Sequence, residues 1–179
     1  MMVADSDVLI DFLEGRAPAA NRVALELDRG QLRTTVITRF ELLAGAKTAR
    51  QMKLIGELLA ALPCLPLDEP GADAAAEIRR TLERDGVGIG MADSLIAGIV
   101  VTHHGVLLTG NRRHFERVAG FPLGRMGRTE QDWPHRAVNR AGPPPLGKGR
   151  GQARLRSPGP ISLDSRDPTA LEFVLWRTR

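Results

Sequence analysis

Apolar residues along the chain fall into short solid runs and longer stripes spaced three and four apart, the two patterns expected of buried strands and amphipathic helices. Met2-Val3-Ala4 is a short apolar run leading straight into Asp5-Ser6-Asp7, and residues 8–13 read as a helix stopped near Gly15. A second helix starts around Pro18, with Ala20, Val23, Ala24 and Leu27 as its apolar face and Gly30 at its end. Residues 32–37 carry Thr34, Thr35 and Val36 and predict a strand. Residues 38–46 predict a third helix. The clearest amphipathic stripe spans 51–62, with Met52, Ile55, Leu58, Leu59 and Leu62 on one side, stopped by Pro63 before a short strand over 64–67. Helices follow over 72–84 (Ala75, Ile78 and Leu82 inward) and 92–103 (Ala92, Leu95, Ile96, Ile99 and Val100 inward). A buried strand over 106–109 and a short helix over 112–118 complete the series.

Strands alternating with helices imply right-handed crossovers, and therefore an α/β fold. The expected architecture is a three-layer sandwich, with a mostly parallel sheet of four to five strands flanked by helices. The 179 residues, 42% of them apolar, suffice for one domain with a packed core. The pattern lapses after Trp133. Residues 141–151 hold three consecutive prolines and four glycines, so 1–133 is expected to be the folded domain. Residues 134–179 are expected to be a basic Pro/Gly-rich tail, largely disordered.

Charge sharpens that division. Residues 1–133 carry 16 Lys and Arg against 18 Asp and Glu, while 134–179 carry nine against three, so the pI of 10.2 belongs to the tail. No apolar run approaches the ~20 residues that span a bilayer. The opening carries Asp5, Asp7, Asp11 and Glu14, unlike a secretory leader. A single cysteine, Cys64, sits in an apolar segment and has no internal partner, which fits a reducing cytoplasm.

Three acids stand out by position. Asp5 lies at the carboxyl end of the first predicted strand, Glu41 in the first turn of the third helix, and Asp93 in the first turn of the helix before the last strand. That last strand ends in Thr109-Gly110-Asn111. Ligands of open parallel sheets bind outside the carboxyl ends of the strands, which puts Asp5 and Asn111 on the same edge. A plainer reading exists for each acid. Thr38-x-x-Glu41 is also a capping-box pattern, and Asp5 and Asp93 suit helix starts. If the acids do converge, their mutual repulsion is relieved by a hard divalent cation such as Mg²⁺ or Mn²⁺, which takes oxygen ligands and acidifies bound water.

These residues resemble the PIN-domain ribonucleases. Val3 to Asp11 looks like the family's opening signature, Val36 to Gly45 like its second motif, Ala92 to Ala97 like its third, and Leu107 to Phe115 like its fourth. The Glu-Leu-Leu-Ala-Gly version of the second motif is most similar to VapC toxins of bacterial toxin–antitoxin pairs. The resemblance implies a PIN-like sandwich and a metal-dependent endoribonuclease. It implies Asp5 and Asp93 as metal ligands, Glu41 as a further ligand or the group orienting the attacking water, and Asn111 as the fourth corner. Ser6 or Thr109 would bond the site or the phosphate through a hydroxyl. It further implies an RNA substrate, a homodimer and a small cognate antitoxin. Two positions depart from the pattern: Asp7 stands where Asn is common, and His114 where many relatives have Asp.

Basic candidates for phosphate contact are Arg39, Lys47, Arg50, Arg112 and Arg113. With aromatics at 4% and no tyrosine, a broad base-stacking platform is not expected. One rival reading is a phosphatase of the haloacid-dehalogenase type, which shares an Asp-x-Asp opening but needs a later lysine and a late acidic pair. Another is a PIN-fold binding module that has lost catalysis, with His114 as its symptom.

Overall fold

Met2–Ala4 forms strand β1, which occupies a central position in a four-stranded sheet. The computed structural model describes residues 1–127, so the boundary expected at Trp133 and the tail over 134–179 lie outside the described residues. Leu32–Thr35 (β2) and Val106–Leu108 (β4) flank β1, and Cys64–Leu65 (β3) lies outside β2. The order is β3-β2-β1-β4 with every pair parallel. Ala4 stands opposite both Thr34 and Leu108, so Asp5, Thr35 and Thr109 emerge together at one edge. Leu123 adds an isolated bridge to Leu107 in place of a fifth strand.

Neighbouring residues of a strand face opposite sides of the sheet, and that alternation builds the layers. Ala4 and Leu108 point into a core shared with α1 (Ser6–Leu13), α2 (Ala19–Asp28), α3 (Val36–Gly45) and α4 (Ala49–Ala61). Val3 and Leu107 point the other way, into a second core with Ile96, Ala97 and Val100 of α6 (Met91–Thr102) and Phe115 of α7 (Arg112–Phe115). Ile78 of α5 (Glu69–Arg84) packs against that second core. The result is the expected α/β sandwich of helices, parallel sheet and helices.

Several boundaries move, mostly because a side chain caps a helix. The strand expected over 32–37 ends at Thr35, whose hydroxyl accepts the Thr38 N–H at 3.0 Å, and Val36 and Ile37 open α3. Asp68 takes the Gly71 N–H at 2.9 Å, so α5 starts at Glu69 and not at residue 72. Asp5 does the same for α1, which starts two residues earlier than expected. Thr48 and Gln51 form a reciprocal capping box, and Gln51 therefore takes the first buried place of the α4 stripe. Met52 is turned outward at 44% exposure, while Ile55, Leu58, Leu59 and Leu62 are buried as expected.

The α2 face is also rotated. Ala19, Val23 and Glu26 are buried and Ala24 is exposed, with the Glu26 carboxylate paired to Arg22 at 3.1 Å and Arg29 at 3.4 Å. Cys64 is exposed, because β3 is a two-residue edge strand. The short helix expected to reach residue 118 closes at Phe115.

Helix α6 is buried nearly all round from Ile96 to Val100, wedged between the sheet and α5. Gly98 permits that approach. A Cβ there would sit 2.3 Å from the Gly71 carbonyl oxygen and 2.7 Å from the Ala75 nitrogen, both backbone atoms that cannot step aside. In an exposed helix Gly→Ala is stabilising by about 1 kcal/mol. Here the sign inverts: Gly98→Ala is expected to lose about 1–3 kcal/mol through overpacking, read as a lower urea midpoint. An unchanged or raised midpoint would show that α5 and α6 are not packed this closely.

Candidate active site

The edge where β1 and β4 end is laced together by hydrogen bonds from backbone and hydroxyl groups to two aspartates. Asp5, the N-cap of α1, accepts the Ser6 N–H on Oδ1 at 2.7 Å and the Thr109 hydroxyl on Oδ2 at 2.8 Å. Thr109 in turn accepts the Asn111 N–H at 3.0 Å. Asp7 accepts the Val8 N–H on Oδ1 at 2.7 Å and the Gly110 N–H on Oδ2 at 2.8 Å. A Cβ at residue 110 would fall 2.8 Å from that Asp7 oxygen, so a side chain there would push the Asp7 carboxylate out of this bond.

Glu41 and Asp93 arrive from helices. Because α3 begins at Val36, Glu41 lies in its second turn and not its first. The helix is capped by Thr35, so the Thr38–Glu41 capping box does not form. Asp93 is in the first turn of α6, whose N-cap is Gly90 with no side-chain capping bond. The Asp93 carboxylate turns instead to His114, whose Nδ1 lies 2.8 Å from Oδ2.

Asp5, Ser6, Asp7, Ile10, Glu41, Asp93 and Asn111 line one cavity of about 240 Å³. Every acid expected from the sequence is there, with Asn111 and Ser6. Thr109 is fully buried and reaches the cavity through Asp5. Arg112 does not line it: its guanidinium donates to the Gly124 carbonyl at 2.6 Å and to Glu116 at 3.2 Å, anchoring the segment after α7. Asp7 and Ile10 were not assigned to the site from sequence. Their signal was present, since Asp7 follows Asp5 by two residues and Ile10 lies one turn further along α1.

The electrostatics are strained. Burial raises the Asp5 carboxyl most, the neighbouring Asp7 charge raises it further, and Glu41 adds to this. The bonds from Thr109 and Ser6 offset only part of that, and the group stands at about 7 against an ordinary 3.8. Hard oxygen donors around a carboxyl so raised suit a divalent cation such as Mg²⁺ or Mn²⁺. Among the described residues, however, no three His, Cys, Asp or Glu side chains are grouped as ready ligands of one ion. Asp5, Asp93 and Glu41 therefore share a cavity without forming the joint three-ligand set expected of them. Both Asp5 oxygens carry hydrogen bonds, and one Asp93 oxygen is held by His114. Such an arrangement suits an ion that keeps several of its waters, as Mg²⁺ does.

The PIN domain family model matches residues 2–121. The chain belongs to the PIN domain family. Among curated relatives, this PIN domain is 30% identical over 133 residues to the tRNA(fMet)-specific endonuclease VapC of Shigella flexneri, covering 72% of this chain and 95% of that one. Its fold matches a DNA-bound VapBC from Salmonella typhimurium with a TM-score of 0.63 at 24% identity, covering 70% of this chain and 98% of that one. A toxin–antitoxin complex from Klebsiella pneumoniae gives 0.57 at 21% identity, covering 72% and 100%.

The raised Asp5 carboxyl makes stability depend on pH. Its folded value exceeds the unfolded one, so the native state holds the extra proton between about pH 4 and 7. Stability from this group is accordingly greatest below that window and lost as pH rises through it. Metal-free protein should therefore melt at a lower temperature at pH 7.5 than at pH 5, and Asp5→Asn should flatten the difference. An Asp5→Asn protein with the native slope would place the titrating group elsewhere.

Proposed function

We infer that this chain is a divalent-metal-dependent endoribonuclease that hydrolyses RNA phosphodiester bonds as a toxin of the VapC kind. The observation that carries the reading is the cavity itself: within a PIN domain, Asp5, Asp7, Glu41 and Asp93 meet at the carboxyl edge of a parallel sheet. Asp5 and Asp93 would hold Mg²⁺ or Mn²⁺. When bound, the cation makes water more acidic and offsets negative charge on the phosphoryl oxygens. Glu41 serves as a further ligand or orients the attacking water, and Asn111 and Ser6 complete the rim that receives the phosphate. Thr109 holds Asp5 in place from below.

The curated relative named as a tRNA endonuclease supports RNA as the substrate class. The VapBC and toxin–antitoxin neighbours support a small antitoxin as cognate partner. A homodimer and a cytoplasmic location complete the proposal. The exposed free Cys64 agrees with a reducing compartment, and no described helix is long and apolar enough to cross a membrane. The phosphatase reading loses ground because its chemistry needs a lysine beside the nucleophile, and none of the described residues lining the cavity with Asp5 is a lysine. The non-catalytic reading loses ground because four carboxylates remain in the cavity.

Asp5→Asn and Asp93→Asn should each lower RNA cleavage by at least about 100-fold in Mn²⁺, since metal-centred charge stabilisation contributes several kcal/mol. Native-like cleavage by both variants would remove these residues from the site. We propose further that residues 1–133 carry the catalysis. Deleting 134–179 should leave the cleavage rate within about 3-fold at moderate salt, with any loss of RNA affinity confined to low salt, where the nine cations of that segment count. A deletion protein that folds but cuts nothing would refute that division.

A further inference from the structure

His114 stands at the centre of a contact that the nuclease reading does not use. Its Nδ1 lies 2.8 Å from Asp93 Oδ2 and 2.6 Å from the side-chain amide nitrogen of Asn111. Asn111 occupies the N-cap of α7 yet makes no capping bond with its side chain. An asparagine there ordinarily accepts a backbone N–H of the first turn. Here the amide is turned to His114 instead. The next residue, Phe115, is fully buried and stacks on Phe121 at a centroid distance of 5.4 Å, which fixes the backbone that carries the imidazole.

We propose that His114 is a positioning residue whose single Nδ1–H joins Asp93 to Asn111 and turns the Asn111 amide so that its NH₂ faces the cavity. The proposal rests on the nuclease reading of that cavity and specifies it. An ionised carboxylate only accepts, so the bond to Asp93 requires the proton on Nδ1. An amide NH₂ cannot also donate to that nitrogen. The amide therefore meets Nδ1–H with its oxygen, and exchanging its two ends satisfies both partners without moving the backbone. One N–H can be shared by two acceptors. The reverse arrangement would need the one lone pair of Nδ1 to accept two hydrogen bonds.

The consequence is chemical. Asn111 then presents its NH₂, and not its carbonyl oxygen, to the cavity, because the oxygen takes the end that faces His114. Its NH₂ offers two protons to the cavity that Asp5 and Asp93 also line, which suits a phosphate oxygen and not a cation. Asp93 would offer Oδ1 to the ion, with Oδ2 held by His114, as carboxylate ligands are commonly hydrogen-bonded in turn.

The test compares wild type with His114→Ala, His114→Asn and His114→Gln, using RNA cleavage kinetics and Mn²⁺ binding followed by electron paramagnetic resonance. Asparagine can place an N–H near the position of Nδ1, whereas glutamine carries its amide too far out. His114→Ala and His114→Gln should lower kcat by about 10–100-fold with KM changed less than about 3-fold, and should weaken Mn²⁺ binding about 10-fold. His114→Asn should return both to within about 3-fold of wild type. If the alanine protein does not fold, the Asn–Gln pair decides. The proposal is overturned if all variants match wild type in both readouts, if His114→Asn is as poor as His114→Gln, or if wild type binds no Mn²⁺. A wild type that binds Mn²⁺ but cuts no RNA sinks the nuclease reading instead, and the Mn²⁺ comparison still decides the role of His114.

Discussion

The structure turns on holding like charges together at one sheet edge. Asp5 and Asp7 are both buried, and Glu41 shares their cavity. Left to themselves, such groups would separate or take up protons. They stay because backbone N–H groups of Ser6, Val8 and Gly110 and the Thr109 hydroxyl point at them, each fixed by a strand end or a helix start. The donors come from two crossovers that the parallel register aligns. Raised protonation of Asp5 is what remains after those bonds have acted, and a hard cation is the natural means of relieving it.

That edge depends on packing well away from it. Asp93 reaches the cavity from the start of α6, a helix that approaches α5 closely where Gly98 has no side chain to hold Gly71 and Ala75 away. Gly110 plays the matching part on the other side, letting Asp7 reach the backbone of the turn after β4. Two glycines thus set distances among acids that they do not themselves touch in sequence. His114 adds a third constraint, made by a side chain instead of a missing one, and links the α6 and α7 contributions to the cavity.

Much of this was readable in the chain. Short apolar runs marked the strands, and the stripe of Ile55, Leu58, Leu59 and Leu62 marked α4, because burial imposes the period of the element that is buried. Asp5 and Asn111 could be assigned to one edge because topology dictates where parallel strands end. Reading failed where a polar side chain took an interior place or a cap. Gln51 displaced Met52 from the α4 face, and Glu26 with its two arginines displaced Ala24 from the α2 face. Thr35 ended β2 two residues early, which moved Glu41 from a capping position to the second turn of its helix. Arg112, one of five cations that could meet a phosphate, is held by the Gly124 carbonyl of a segment that returns from further along the chain, a contact no local pattern announces.

The sequence by itself determined the alternation of strands and helices, the identity of the acids and the edge on which they gather. Those follow from local periodicity and from the rule that crossovers in parallel sheets bring every strand end to the same side. Only the tertiary structure decided which oxygens are already bonded, that Asp7 belongs to the cavity and Arg112 does not, and that His114 faces Asp93. These depend on distances between residues remote along the chain, such as Asp7 to Gly110 and Asp93 to His114. No local pattern encodes such separations, because they are sums of packing decisions made by every element in between.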